Sequence, residues 1–155
     1  MQIFYIVSLV SFLSDRISKF LILKTIQEPV SVFPFFKIVK VWNPNLVFGL
    51  KISFLKSENL IIFLKGLLLC VIFILAIKSK DKFEKMALGM IFGGGLGNLT
   101  DRIFFGKVLD FLYFHYKNLY WPAFNVADIF ITLGIVLYVW RVLRNPNKSK
   151  QSICL

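Results

Sequence analysis

Four of the eight acidic residues in this chain lie in or beside long apolar segments, where a charged group is costly. They are Asp15, Asp101, Asp110 and Asp128. Ionisable groups at membrane depth usually face a helix-bundle interior or a water-filled cavity, because each costs roughly 2.5–3.5 kcal/mol in lipid. Two carboxyls at close range do not ionise together, so one retains a proton. Such a pair can activate a water and polarise a carbonyl, which is the chemistry of aspartic proteases.

Helical spacing predicts that polar side chains from three segments face one another. Asp15 and Lys19 are four residues apart, a pairing distance on one helix face. Two further polar stripes have a similar helical spacing. One consists of Gly94, Asn98 and Asp101, and the other of Asn125, Asp128 and Thr132. Stripes that meet in this way would form a polar pocket.

Part of this set also has a structural interpretation. Structural ion pairs can account for Asp15 with Lys19 and for Asp101 with Arg102. The spacing of Gly93 and Gly97 is a helix-packing signal, and packing is their expected main role. Asp110 and Asp128 have no cation at helical pairing distance, so we favour a functional role for them. The residues alone leave a carboxylate site that could also serve a proton or ion pathway.

The elements that position these acids are predicted to be four membrane-spanning helices. The chain is 57% hydrophobic with a mean hydropathy of +0.74, above the roughly 45–50% apolar content of soluble domains. A bilayer core needs roughly 20 apolar residues per helix, and four segments reach or approach this length: 3–23, 60–77, 86–105 and 124–142. The first is interrupted by Asp15, Arg16 and Lys19, and the second by Lys65. We therefore predict one integral membrane domain, 1–155, a membrane all-α four-helix bundle with a small extracytoplasmic β-sheet and an interfacial segment.

Basic residues predict the orientation of the bundle. The link 78–85, KSKDKFEK, contains four lysines, and the C-terminal end adds Arg141, Arg144, Lys148 and Lys150. Cytoplasmic loops are enriched in such residues, so both termini are expected in the cytoplasm, with all four acids at the level of the outer leaflet. The net charge of +11 is better explained by this anchoring than by nucleic-acid binding.

Two connections are predicted on the exterior side. The connection 25–58 mixes β-branched and aromatic residues with Pro and Asn turn signals, which is typical of short strands. The segment 106–123 contains FHYKNLYWP and is expected to lie in the membrane interface, where aromatic rings settle.

Other hydrolytic chemistries lack their residues. His115 is the single histidine, which excludes a histidine-rich zinc site and disfavours a Ser-His-Asp triad. Cys70 and Cys154 form no CxxC motif and are expected to be structural or incidental. We expect no metal and no cofactor.

Five motifs, covering nearly the whole chain, resemble those of the lipoprotein signal peptidases, the type II signal peptidases of bacteria. They are SDRISK, NPNLVFGL, GGGLGNLTDR, KVLDF and FNVADIFITLG. The last three, in this order and spacing, are highly specific together. The resemblance implies an intramembrane aspartyl endopeptidase of the bacterial cytoplasmic (inner) membrane. Its substrate is a prolipoprotein, cleaved just before the diacylglyceryl-modified cysteine.

The resemblance also implies roles for individual residues. Asp110 and Asp128 match the catalytic pair. The family's supporting positions, which shape the pocket and engage substrate or lipid, match Asp15, Lys19, Asn43, Gly94, Asn98, Asp101, Arg102, Asn125 and Ala127. The expected partners are the prolipoprotein signal peptide and membrane phospholipids, with no nucleic acid, and the enzyme is expected to be a monomer. One departure is Asn45, where the family usually has glycine.

Two other functions compete with this interpretation. A small channel or proton-coupled transporter would use the same carboxylates, but it requires polar stripes that continue into the cytoplasmic halves of the helices. Those halves are nearly all apolar in the second and fourth segments, VIFILAI and IVLYVW. A non-enzymatic assembly or lipid-binding factor would tolerate the loss of either aspartate.

Overall fold

A computed structural model describes residues 1–44, 58–117 and 119–144 of the chain. Asn45, Lys148, Lys150 and Cys154 lie outside these ranges. The helices are α1 (Gln2–Thr25), α2 (Glu58–Lys78), α3 (Lys82–Phe105) and α4 (Val126–Arg144). The strands are β1 (Val30–Phe33), β2 (Phe36–Asn43), β3 (Val108–Tyr116) and β4 (Leu119–Tyr120). Each predicted span therefore corresponds to one helix.

Two of the helices, α2 and α4, are long and apolar enough to cross a membrane. Only 22% and 11% of the residues in their most apolar stretches are buried, so their apolar side chains face outward. A helix in the core of a soluble protein would be mostly buried. Helices α1 and α3 have 24 residues each, about 36 Å at 1.5 Å per residue, but they carry the charged residues of the predicted polar stripes.

Helix α3 lies at the centre of the bundle and contacts the other three helices. Its glycines allow this, as the predicted packing role requires: a Cβ at Gly93 would collide with α1, and one at Gly94 would lie 2.6 Å from the Ala127 carbonyl oxygen of α4. Near the other end of the same interface, a Cβ at Gly134 would lie 2.7 Å from the Ala87 carbonyl oxygen. Small residues thus let the α3 and α4 backbones approach closely.

The two connections predicted on the exterior side form one antiparallel sheet with the strand order β1-β2-β3-β4. The predicted short strands of the first connection are confirmed as β1 and β2. The segment 106–123 was expected only to lie in the interface, and that description is incomplete, because it supplies β3 and β4. Its run of β-branched and aromatic residues suits a strand as well as a membrane interface. Asp110 consequently sits on a strand, opposite Val41 of β2.

Two short connections bring β3 beside the first turns of α4. Gly106 ends α3 in the left-handed conformation at φ 66°, which reverses the chain into β3. Phe124, just before α4, pairs with Leu112: the Leu112 N–H donates to the Phe124 carbonyl at 2.8 Å, and the Phe124 N–H donates back at 3.0 Å. This bridge places Asn125 and the start of α4 against the strand that carries Asp110.

Candidate active site

Asp110 is held by two carboxamides. Its Oδ2 accepts a hydrogen bond from Asn43 Nδ2 at 2.9 Å, and its Oδ1 accepts one from Asn125 Nδ2 at 2.7 Å. The residue is only 3% exposed. Burial, opposed by these hydrogen bonds and reinforced by the charge of Asp128, raises the pKa of Asp110 to about 6. Asp110 therefore keeps its proton to a higher pH than an ordinary aspartate.

Asp128 and Asn125 form a reciprocal cap at the start of α4. The Asp128 N–H donates to Asn125 Oδ1 at 3.1 Å, and Asp128 Oδ2 accepts from the Asn125 N–H at 3.1 Å. This is the geometry of a capping box, in which two unpaired N–H groups of a helix terminus are satisfied. The cap fixes the Asp128 carboxylate at the N-terminus of α4, beside the strand that carries Asp110.

Asn98 of α3 joins the two carboxylate-bearing segments. Its Nδ2 donates to Asp128 Oδ1 at 2.9 Å, and its Oδ1 accepts from Asn125 Nδ2 at 3.1 Å. Asn125 in turn donates to Asp110. The two carboxylates are thus connected through a pair of carboxamides, which fixes their relative position without requiring a direct hydrogen bond between them.

Lys19 is the cation beneath this pair, and it is 1% exposed. Its Nζ lies 2.8 Å from Asp15 Oδ2 and 2.8 Å from Asp101 Oδ2, and it donates to Asn98 Oδ1 at 3.3 Å. The ammonium group has three donors, and all three have an acceptor here. The predicted ion pair of Asp15 with Lys19 is confirmed, and Lys19 additionally anchors α1 to α3.

The two carboxylates bound to Lys19 each hold a backbone N–H next to a candidate catalytic residue. Asp15 Oδ1 accepts from the Ala127 N–H at 3.0 Å, which satisfies a free donor in the first turn of α4. Asp101 Oδ2 accepts from the Leu109 N–H at 3.3 Å, the residue before Asp110. Both acids therefore act on the position of the carboxyl pair through the backbone.

The ion pair predicted between Asp101 and Arg102 is wrong. These neighbours on α3 point in different directions, and Asp101 pairs with Arg16 and Lys19 of α1. Arg102 instead pairs with Glu58 at 3.2 Å and donates to the Pro44 carbonyl at 3.2 Å. The correction follows from helix geometry, since adjacent residues are about 100° apart around the axis and do not share partners.

A cavity of about 480 Å³ opens beside the carboxylates, between the sheet and helices α2, α3 and α4. Its polar wall consists of Asn43, Lys65, Asn98, Asp110, Asp128 and Thr132. Most of the remaining wall is aliphatic and extends away from the acids along the helices to Ile72, Ile91 and Ile135. An extended apolar segment could lie in this cavity with its end against Asp110 and Asp128. Within the described ranges, no group of three His, Cys, Asp or Glu side chains suits a metal ion.

Comparison with known proteins identifies the family of this chain. Residues 7–144 match the family described as signal peptidase (SPase) II. The lipoprotein signal peptidase of Aquifex aeolicus is 40% identical over 131 residues, which cover 83% of this chain and 78% of that protein. The chain belongs to the signal peptidase II family. The lipoprotein signal peptidase of Polynucleobacter necessarius is 35% identical over 151 residues, 94% of this chain and 93% of that one.

The fold of this signal peptidase II family member is also found in a solved structure, that of a bacterial membrane enzyme determined by the in meso method at 2.3 Å resolution. The two superpose with a TM-score of 0.80 at 24% identity, covering 92% of this chain and 88% of the other. The four described helices together with the antiparallel sheet are thus an arrangement that a membrane enzyme adopts.

Sequence reasoning for this family member missed three charged residues around the site. Arg16 pairs with Asp101, Glu58 pairs with Arg102, and Lys65 lines the cavity. Arg16 and Lys65 were noted only as interruptions of apolar segments. A charge in the interior of a predicted span is itself a signal, and Lys65 could have been identified on that basis.

Proposed function

We propose that this chain is a membrane aspartyl endopeptidase that removes signal peptides from prolipoproteins, cleaving just before the diacylglyceryl-modified cysteine. Membership of the signal peptidase II family supports the reaction. The observation that carries the aspartic chemistry is the linkage of Asp110 and Asp128 through Asn98 and Asn125 at the end of an apolar cavity.

Asp110 is the acid of the proposed mechanism and Asp128 is the base. Asp128 takes a proton from a water whose oxygen attacks the scissile carbonyl carbon, while Asp110 gives its proton to the carbonyl oxygen. The tetrahedral intermediate then collapses. Its C–N bond breaks, the leaving nitrogen takes the proton from Asp128, and a hydroxyl proton returns to Asp110. The raised pKa of Asp110 supports this assignment.

The supporting residues position this pair rather than react. Asn98 and Asn125 hold both carboxylates, and Asn43 orients Asp110. Gly94 allows α4 to approach, and the Ala127 N–H binds Asp15. Lys19, Asp15 and Asp101 form the buried ion cluster beneath the pair, and Arg102 connects α3 to the start of α2.

The proposed setting is the bacterial cytoplasmic membrane, with one domain crossing it four times as a monomer. The termini are cytoplasmic and the carboxyl pair faces the outer leaflet, where the acyl chains of the substrate cysteine reside. The apolar cavity would receive the end of the signal peptide, with the exterior sheet above it and membrane phospholipids around it. The transporter and channel alternative has no support, since the cavity wall far from the acids is aliphatic.

The test replaces each carboxyl separately, as Asp110→Asn and Asp128→Asn, and measures cleavage of a diacylglyceryl-modified precursor. Each variant is expected to lose at least about 100-fold in rate, because general acid–base groups contribute roughly 100- to 10,000-fold. Glu28→Gln, which changes an exposed acid of the exterior connection, is the matched control and should cleave normally. A normal rate in either aspartate variant would refute the paired mechanism, and equal cleavage of unmodified precursor would refute recognition of the lipid.

A further inference from the structure

Lys65 is a lysine within an apolar helix, seven residues from the start of α2. At 1.5 Å per residue this is about 10 Å below the outer end of the helix. The side chain is half-buried and lines the cavity shared by Asp110 and Asp128. Ionisable residues inside a span are costly, so they are kept where they have a function.

Helix packing places Lys65 at the depth of the residue that holds Asp128. Helices α2 and α3 meet where Leu69 lies against Gly95. A Cβ at Gly95 would lie 2.7 Å from Leu69 Cδ2. The two helices are antiparallel, so one turn toward the outer end reaches Lys65 on α2 and Asn98 on α3. Asn98 is the donor to Asp128 Oδ1.

Charged groups on four other elements interact electrostatically with Lys65. They are Asp128 of α4, Asp110 of β3, Arg102 of α3 and Lys19 of α1. Each of the two other cations already has a carboxylate within the described residues, Lys19 with Asp15 and Asp101, and Arg102 with Glu58. In the part of the chain that the structure describes, Lys65 forms no hydrogen bond and no ion pair.

We propose that Lys65 is a positioning residue that acts electrostatically, as the counter-ion of the Asp110 and Asp128 pair. With one proton shared between the two acids, the pair carries a single negative charge, and Lys65 makes the cavity neutral. A neutral set of charges is the one that an aliphatic cavity favours, because uncompensated charge there is poorly solvated. This inference rests on the proposed function, since it concerns the same carboxyl pair.

The test compares the pH profiles of kcat/KM for a diacylglyceryl-modified precursor in the parent, Lys65→Met, Lys65→Arg and Lys78→Met. Loss of the positive charge makes both ionisations of the pair less favourable, so both limbs of the Lys65→Met profile are expected to move up by about one pH unit. Lys65→Arg retains the charge and should keep the parental midpoints. Lys78→Met removes a lysine from the cytoplasmic end of the same helix and should also keep them.

A purely structural contribution of Lys65 would lower the height of the profile without moving its limbs, and that result would overturn the proposal. If Lys65→Met does not fold, Lys65→Gln gives the same comparison. If the variant is too inactive to assay, the comparison uses the pH dependence of binding of a peptide that has a hydroxyl in place of the scissile carbonyl. Unmoved midpoints together with inactive Asp110→Asn and Asp128→Asn would refute only the assignment to Lys65. Normal cleavage by an aspartate variant would refute the carboxyl pair itself.

Discussion

At the scale of single residues, the site is built from buried groups whose hydrogen-bonding capacity is almost fully used. Lys19 meets three oxygens, and each carboxylate oxygen of Asp110 and Asp128 accepts one hydrogen bond. A buried polar network of this kind is rigid when satisfied and costly when one member is lost. Rigidity matters here because the proposed acid–base mechanism requires the two carboxyls to stay at a fixed separation.

The raised pKa of Asp110 predicts a pH-dependent contribution to stability. The folded pKa of about 6 lies above the ordinary value of 3.8, so the folded state binds the proton more tightly than the unfolded state. The corresponding stability is present below pH 4 and is lost as the pH rises through 6. Two pKa units correspond to about 3 kcal/mol.

This prediction is measured by SDS-induced unfolding of the parent and of Asp110→Asn between pH 4 and pH 7 in one detergent. Asparagine does not titrate, so the difference in free energy of unfolding should move by about 3 kcal/mol in favour of the variant as the pH rises. A difference that stays constant over this range would show that Asp110 titrates normally in the folded protein.

At the scale of elements, α3 is the helix on which the other three converge, and close backbone contact is what aligns the site. Gly94 faces Ala127 one residue before Asp128, so the spacing between α3 and α4 directly sets where Asp128 lies. The same helix carries Asn98 and Asp101 on adjoining turns. Packing residues and polar residues therefore belong to one surface of α3.

Substitution of Gly94 by alanine is predicted to disturb both stability and activity. Its Cβ would lie 2.6 Å from the Ala127 carbonyl oxygen, and overpacking of this kind typically costs about 1–3 kcal/mol. The displaced Asp128 should also lower kcat. Unfolding in detergent and cleavage of a diacylglyceryl-modified precursor measure the two effects.

Two other glycines supply controls for this experiment. Gly134→Ala introduces a Cβ 2.7 Å from the Ala87 carbonyl oxygen, at the end of the same interface far from the carboxyl pair, and it should destabilise without lowering kcat. Gly66→Ala on α2 meets nothing within 4 Å and should not destabilise. If Gly94→Ala keeps the parental kcat, close approach at this point does not position Asp128.

At the scale of the whole molecule, the helix bundle buries a charged cluster as well as an apolar core and exposes many large apolar side chains. The fully buried set includes Asp15, Lys19, Asp101, Arg102 and Asn125, whereas large apolar side chains of all four helices are exposed. This distribution is the reverse of a soluble protein and suits a lipid environment, in which apolar side chains need no burial.

The proposed four crossings are tested by labelling single cysteines in a background with Cys70→Ser and Cys154→Ser. The substitutions flank each helix in turn: Gln2→Cys, Phe35→Cys, Lys80→Cys, Leu119→Cys and Arg144→Cys. In right-side-out vesicles, a membrane-impermeant maleimide should label positions 35 and 119 and reach positions 2, 80 and 144 only after permeabilisation. The alternation follows from the basic link between α2 and α3. Two neighbouring positions on one side would show that the helix between them does not cross.

Sequence patterns predict the four helices of the described residues, their approximate ends, and Asp110 and Asp128 as candidate catalytic residues. Apolar periodicity is a local signal, and the motifs around Asp110 and Asp128 are contiguous in the chain. The ion-pair partners of each charged side chain depend on tertiary packing. Asp101 pairs with Arg16 and Lys19 rather than with Arg102, because adjacent helix residues face different neighbours.

The same limit applies to the sheet and to Lys65. The pairing of β2 with β3 joins segments about 70 residues apart and places Asn43 on Asp110, and no local pattern encodes such a contact. Lys65 lines the cavity only because α2 packs against α3 with its Leu69 on Gly95. The residue types of the site can be identified from the sequence. The distances between these residues depend on how the helices and strands pack.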